Sequence, residues 1–177
     1  ATLPFLGPYV MAPIAIKYGA SKDQNEKLFN DMSQNLINFG IGFSEYFGSR
    51  DSSELSFSNN KVTGRTLFVL DTDFATHVML ADKKGQIGIV PLDSDGIEIV
   101  DLTTVDKTRT FKEMRFKETP IELLEKTKSS SEAIQMSIDA GFDVKGLYGQ
   151  WAHDYPDRES GHSSLSSGRG AEAFPYT

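Results

Sequence analysis

Between residues 36 and 118 the sequence is divided by turn residues into short apolar and β-branched runs. The turns recur roughly every ten positions, a spacing that is typical of an antiparallel sandwich or barrel. Long helical segments do not alternate with these runs, so a doubly wound nucleotide-binding fold is not expected. The sequence therefore predicts an α+β protein built on an antiparallel β-barrel or sandwich of about six to seven strands.

One tight hairpin is predicted within this region. Asn59 and Asn60 tolerate positive φ, so they should join two extended runs by a short turn. Leu55 and Phe57 should then face one side of the ribbon, with serines on the other side. The predicted strands are residues 36–43, 54–58, 61–70, 76–82, 86–91, 97–102 and 110–116.

Two short helices are predicted before the strands. Apolar residues within 1–20 indicate a short buried helix that Gly19 ends. Ser21 and Gln24 have the spacing of a capping box, which predicts that a second helix begins there. The apolar face of that helix is predicted to consist of Leu28, Phe29, Met32 and Leu36.

The strands should be followed by one more helix. Thr119-Pro120 is expected to stop the last strand, and serines before Glu132 can cap a helix that Gly141 ends. The apolar residues of this helix are Ile134, Met136 and Ile138. Residues 142–177 are rich in Gly, Ser, Asp and Pro without a sustained period, which predicts an irregular or disordered tail.

Composition excludes several classes of function. The net charge is −7 and the 18 Lys and Arg residues are scattered, which argues against nucleic acid as a partner. The absence of cysteine excludes thiol catalysis and disulfide scaffolds. No apolar run is long enough for a membrane span, and residues 1–17 lack a signal-peptide pattern. A soluble protein of the cytoplasm is therefore expected.

No motif in the sequence identifies a nucleophile or a metal site. His77 lies in a predicted strand, where a single histidine is more often an edge or core residue than a catalytic one. His153 and His162, with Asp154, Asp157 and Glu159, could form a metal cluster, but the tail has no packing pattern to support one. Asp-Ser-Asp-Gly at 93–96 begins like a calcium loop but lacks the later ligands, so a β-turn is predicted.

A loop rich in Gly and Ser follows the first predicted strand. Gly and turn amides at 48–51 could approach a phosphate-bearing ligand closely, because Gly has no Cβ and turn amides point outward. The alternative is a plain surface turn. The sequence of the loop alone does not decide between the two.

Taken in order, several segments resemble the FAD-dependent acyl-CoA dehydrogenases over about residues 5 to 125. Ile-Lys-Tyr-Gly at 16–19 and the charged helix at 21–27 are similar to the segment that precedes the family's strand ending in Thr-Glu-Pro. Phe43-Ser44-Glu45 and the loop at 48–51 stand where that strand end and a Gly-Ser-Asp loop would be. The strand at 62–70 is similar to the family's Trp-Ile-Thr strand. Weaker matches follow at 88–91, 96–97, 106–109 and 119–121.

The resemblance implies a flavin site on the β-domain. Phe43 and Ser44 would meet the edge of the isoalloxazine ring, Phe68 would flank the ring, and Ser49 would lie near the phosphate or thioester ligand. Ordinary core packing is the alternative for Phe43 and Phe68. Leu70 stands where the family usually has a Thr hydroxyl near flavin N5, and Leu cannot supply one. Ser44 keeps the hydroxyl of the family's Thr.

The resemblance also implies a division into domains. Residues 1–35 would be a remnant of the N-terminal helical domain and 36–125 the middle β-domain. Residues 126–141 would begin a truncated helical domain, followed by the tail at 142–177. The implied function is FAD-dependent α,β-oxidation of an acyl-CoA thioester, in a fragment or incomplete subunit that supplies flavin and thioester contacts. No catalytic base is assigned.

The alternative function is a non-catalytic β-module that binds a protein partner. A missing half-domain should leave an apolar face uncovered, so self-association or a partner subunit is expected under both hypotheses.

Overall fold

The computed structural model describes residues 5–44, 54–103, 111–125 and 131–141. The predictions for Ser49, the glycine-rich loop at 48–51, the segment at 106–109, the metal cluster and the tail at 142–177 lie outside these residues. The description begins with a π-helix at Gly7–Met11, which runs directly into helix α1 at Ala12–Gly19. The predicted end at Gly19 is confirmed, and Ala20 then takes an extended conformation.

Helix α2 spans Lys22–Ser33 and begins with the predicted capping box. The Ser21 side chain accepts a hydrogen bond from the Gln24 amide, and the Gln24 side chain accepts one from the Ser21 amide. The predicted apolar face is partly wrong. Leu28 is buried, but Leu36 is 60% exposed because α2 ends at Ser33 and Asn35 then takes a left-handed φ of 56°. Phe29 is also exposed.

Eight strands form one sheet in the described part of the chain. The predicted α+β class is confirmed. The short strand β8 was not among the predicted strands. Within the described residues no pairing joins the two ends of the sheet, so the sheet is open there and does not close into a barrel. The strands are β1 Phe39–Gly42, β2 Glu54–Ser58, β3 Lys61–Leu70, β4 His77–Ala81, β5 Ile87–Pro91, β6 Ile97–Leu102, β7 Phe111–Pro120 and β8 Glu122–Leu123.

The order of the strands places β1 and β3 at the centre of the sheet. It reads β6-β7-β3-β1-β4-β5-β8, and β2 pairs with β3 beside this path. β1 and β4 are parallel, with Phe39 opposite His77, while the other pairs are antiparallel. The first predicted strand is shortened to β1 because residues 36–38 form the connection from α2. The last predicted strand, at 110–116, corresponds to the longer strand β7, which ends at Pro120 where a stop was predicted.

The predicted hairpin is confirmed in detail. Asn59 and Asn60 have φ values of 52° and 56°, and the pair that flanks the turn is Ser58 with Lys61. Such a left-handed pair gives the turn a twist that matches the flanking strands. Leu55 is buried while the serines of β2 are exposed. The predicted turn at 93–96 is also present, with Gly96 at a φ of 83°.

Two hydrophobic clusters lie on opposite faces of the central strands. In β4, Met79 and Ala81 belong to the cluster beneath the helices, and Val78 and Leu80 belong to the second cluster. This alternation follows from the period of two along a strand. Helix α3, at 131–141, adds Ile134 and Ile138 to the first cluster, whereas the predicted apolar residue Met136 is exposed. No helix in the described part of the chain is long and apolar enough to cross a membrane.

Candidate functional site

A cavity of about 220 Å³ opens between the π-helix, the ends of β1 and β3, the start of β7 and the end of α3. The structure brings four of the five predicted site residues together here: Phe43, Ser44, Phe68 and Leu70. The fifth, Ser49, lies outside the described residues. The described residues that line the cavity are Leu6, Met11, Ile41, Phe43, Ser44, Phe68, Leu70, Phe111, Ile138 and Gly141.

Strand register explains why residues so distant in sequence meet at this place. Leu70 lies opposite Ile41 in the pairing of β3 with β1, and opposite Phe111 in the pairing of β3 with β7. Residues directly opposite on antiparallel strands have neighbouring side chains. The cavity therefore extends across three adjacent strands at the point where β1 and β3 end.

Phe68 has the most unusual backbone in the cavity. Its φ is 57°, and the register of β3 against β7 shifts between Thr66 and Val69. A β-bulge of this kind re-aims a side chain, and a left-handed φ in a residue other than glycine costs about 1–3 kcal/mol. Strained residues of this kind cluster at functional sites.

The bulge directs the Phe68 ring toward the cavity rather than into the core. The side chain is 45% exposed, so ordinary core packing is wrong for Phe68. Its ring meets Phe111 edge-on, with 6.1 Å between ring centroids and 81° between planes. Phe43 differs, because it is buried in the cluster beneath the helices as well as lining the cavity.

Ser44 supplies the one hydroxyl, amide or charged side-chain group among the described lining residues. Its hydroxyl donates to the Leu67 carbonyl at 2.5 Å and lies 3.1 Å from Thr66 Oγ1. These contacts connect the end of β1 to the bulge in β3. Leu70 presents only an apolar side chain. The cavity therefore suits the face of an apolar ring system with a single polar contact.

Sequence reasoning missed several lining residues. Leu6 and Met11 were within a predicted helix, and Ile138 was predicted as an apolar helix residue, but nothing in the sequence connected them with the strands. Ser137 shows how the connection is made, because its hydroxyl donates to the Met11 carbonyl at 2.8 Å. The two residues are 126 positions apart, so no local pattern could have indicated this contact.

Two titratable groups near the strand ends have shifted pKa values. Burial lowers the pKa of His77, against the opposing effect of Asp93, Glu122 and Asp31. His77 lines a different cleft, beside α2, and does not reach the cavity. A hydrogen bond to Asp101 raises the pKa of Lys112, and Asp73 contributes to the same shift.

Lys112 fixes the start of β7 next to the cavity residue Phe111. Its Nζ lies 2.6 Å from Asp101 Oδ1 and 3.0 Å from Asp73 Oδ1. This single cation on β7 therefore forms ion pairs with β6 and with the segment that follows β3. The described ranges contain no group of three or more His, Asp or Glu residues that could hold a metal ion.

Comparison with known proteins identifies the fold at low sequence identity. No protein-family model and no curated protein matches the sequence. An acyl-CoA dehydrogenase from Geobacillus kaustophilus is 16% identical with a TM-score of 0.65, over 82% of this chain and 43% of that chain. A glutaryl-coenzyme A dehydrogenase in complex with glutaryl-CoA is 13% identical with a TM-score of 0.60, over 88% and 47%.

A third solved structure is a complex. The ChsE4–ChsE5 complex from Mycobacterium tuberculosis is 16% identical with a TM-score of 0.59, over 90% of this chain and 48% of that chain. The chain thus spans less than half the length of each of these solved chains. The predicted resemblance to acyl-CoA dehydrogenases is confirmed at the level of the fold.

Proposed function

We propose that this chain, which has the fold of part of an acyl-CoA dehydrogenase, is a flavoprotein oxidoreductase chain that contacts FAD and an acyl-CoA thioester. One observation supports the proposal above all. Phe43, Ser44, Phe68 and Leu70 were assigned to a flavin site from sequence resemblance, and the structure brings them into one cavity. In this proposal 1–35 is a remnant of an N-terminal helical domain, 36–125 is the β-domain, and 126–141 begins a second helical domain.

The lining residues fit the ring portion of a flavin. Small-molecule pockets usually measure about 300–1,000 Å³ and are mostly apolar, so a cavity of about 220 Å³ suits one part of a larger ligand. Phe68 and Phe111 offer aromatic contact, and Ser44 adds one hydroxyl to the otherwise apolar lining. The phosphate contact assigned to Ser49 remains part of the proposal.

The proposal assigns separate roles to the flavin and to the side chains that line the cavity. Bound flavin would supply the hydride acceptor for oxidation of the acyl group at its α and β carbons. Phe43 and Leu70 would exclude water from the ring, and Phe68 would orient it. The described lining residues include no carboxylate, and the proposal assigns no base for α-proton abstraction.

Titration of the full chain with FAD tests the proposal. We expect saturable binding, seen as a change in flavin absorbance and quenching of flavin fluorescence. No change in flavin absorbance or fluorescence at high micromolar FAD would contradict the cofactor assignment.

Restoring a hydroxyl at position 70 should strengthen FAD binding. The side chains of Thr and Val have nearly the same shape, so the Leu70→Thr and Leu70→Val variants differ chiefly by one hydroxyl. We expect Leu70→Thr to bind FAD about fivefold more tightly than Leu70→Val, because a hydrogen bond contributes about 1 kcal/mol. Parallel titrations of the two variants measure this difference. Equal dissociation constants would show that position 70 does not face a polar group of the flavin.

We also propose a partner for the elements that surround the cavity. The ring of Phe5, which precedes the π-helix, lies 5.8 Å from the ring of Tyr9 on that helix. The two residues are 45% and 64% exposed, and Met136 of α3 is exposed as well. Exposed apolar groups of this size often mark interaction surfaces. The proposed partner is a helical segment from another subunit or a second copy of this chain.

Sedimentation velocity should reveal this association. We expect the sedimentation coefficient to rise with protein concentration, and Tyr9→Lys to reduce the rise because a charge is costly to bury. Phe74→Lys is the control, since Phe74 is also exposed but belongs to the connection between β3 and β4 rather than to the π-helix or α3. A monomer at every concentration would argue against self-association.

Partner binding without a cofactor is the second candidate function. The exposed Phe5–Tyr9 pair and the apolar Leu70 favour it. The FAD titration separates the two candidates, since only the first predicts flavin binding.

A further inference from the structure

Both ends of the π-helix are held by polar contacts from distant segments. At its start, the Gly7 amide donates to Asp71 Oδ2 at 2.8 Å. At its end, the Met11 carbonyl accepts the hydrogen bond from Ser137 Oγ. The π-helix is a rare and short form that occurs frequently at functional sites. This one forms a side of the cavity through Leu6, which precedes it, and Met11.

The contact with Asp71 places Gly7 in a confined space. A Cβ on Gly7 would lie 3.2 Å from both Asp71 Cβ and Asp71 Oδ2, and 3.1 Å from the Phe39 carbonyl oxygen. Asp71 has a φ of 58°, so the chain leaves β3 in a left-handed conformation. A carboxylate that accepts from the first amide of a helix forms a charge-assisted hydrogen bond.

The second contact comes from a buried side chain. Ser137 is 0% exposed, so its hydroxyl depends on a partner inside the protein. The same helix approaches Met11 a second time, because a Cβ on Gly141 would lie 3.3 Å from Met11 Sδ. Helix α3 therefore packs closely against the end of the π-helix.

We propose that Asp71 and Ser137 are positioning residues that clamp the π-helix and so set the width of the cavity. Each of them adjoins a lining residue on another element: Asp71 follows Leu70 of β3, and Ser137 precedes Ile138 of α3. The clamp thus joins three sides of the cavity through two side chains. Its effect on FAD rests on the proposed function, but its effect on the π-helix does not.

Amide hydrogen exchange on the full chain tests the clamp directly. We expect Asp71→Ala and Ser137→Ala to speed exchange at residues 7–12 by about tenfold, while exchange in β4 and β5 stays as in the wild type. Asp71→Asn keeps an oxygen acceptor and should have a smaller effect. Asp95→Ala, in an exposed turn, is the control. If one alanine variant does not fold, Asp71→Asn and the other variant provide the comparison.

FAD titration of the same variants tests the effect on the cavity. We expect both alanine variants to bind FAD about tenfold more weakly, with Asp95→Ala unchanged. The clamp is overturned if exchange at residues 7–12 is unchanged or rises uniformly through the fold. Unchanged FAD affinity with a loosened π-helix overturns the positioning role. If the wild type binds no FAD, the proposed function fails and the exchange data alone decide the clamp.

Discussion

Replacing Phe68 with alanine should weaken FAD binding by about ten- to hundredfold, because the variant loses aromatic contact with a flat ring system. The same change should alter the free energy of unfolding by no more than about 1 kcal/mol. Phe68 is 45% exposed, and its strained φ of 57° is easier for a smaller side chain to adopt. Flavin titration and urea unfolding measure the two effects separately.

Phe74→Ala is the matched control for this experiment. Phe74 is 67% exposed and lies after β3, but it does not line the cavity. It should leave both FAD affinity and stability near the wild-type values. Equal FAD affinity in Phe68→Ala and Phe74→Ala would remove the ring contact from the proposal. A loss of about 3–5 kcal/mol in Phe68→Ala with FAD binding retained would instead show that Phe68 serves the stability of the fold and not the flavin.

Gly64→Ala should destabilise the protein by about 3 kcal/mol or more. Gly64 has a φ of 112°, which side chains rarely adopt, and a Cβ there would lie 1.7 Å from the Glu54 carbonyl oxygen. The backbone of β2 would have to move away from β3, which breaks the hydrogen bonds beside the Leu55–Gly64 pair. The midpoint of urea unfolding measures the change.

Gly19→Ala is the control for that substitution. Gly19 ends α1 with a negative φ, and a Cβ there would first meet the end of the Ile87 side chain, at 3.1 Å. A flexible side-chain end can shift, and alanine favours a helix, so the change should stay within about 1 kcal/mol. A Gly64→Ala variant as stable as Gly19→Ala would mean that the β2–β3 hairpin tolerates a shifted backbone.

Sequence reasoning was most successful where a structure depends on a few neighbouring residues. The capping box of Ser21 and Gln24 and the hairpin of Asn59 and Asn60 are both present. Their signals are complete within about four residues, because the hydrogen bonds and φ values are local. The predicted apolar face of α2 wrongly included Leu36. This residue follows Asn35, whose left-handed backbone interrupts the helical period.

The candidate site was only partly predictable. Phe43, Ser44, Phe68 and Leu70 were identified through resemblance to a known order of segments, and the structure places them around one cavity. Whether they bind FAD stays a prediction. The bulge that turns Phe68 outward depends on the register between β3 and β7, which no single segment encodes.

The sequence by itself determined the class of the fold, the local turns and caps, and four residues that meet at one place. Only the tertiary structure decided what completes the cavity: Leu6 and Met11 on one side and Ile138 on another. The physical reason is that these sides are joined by contacts between residues far apart in the chain. The hydrogen bonds of Asp71 to Gly7 and of Ser137 to Met11 form only after the sheet and helices have packed.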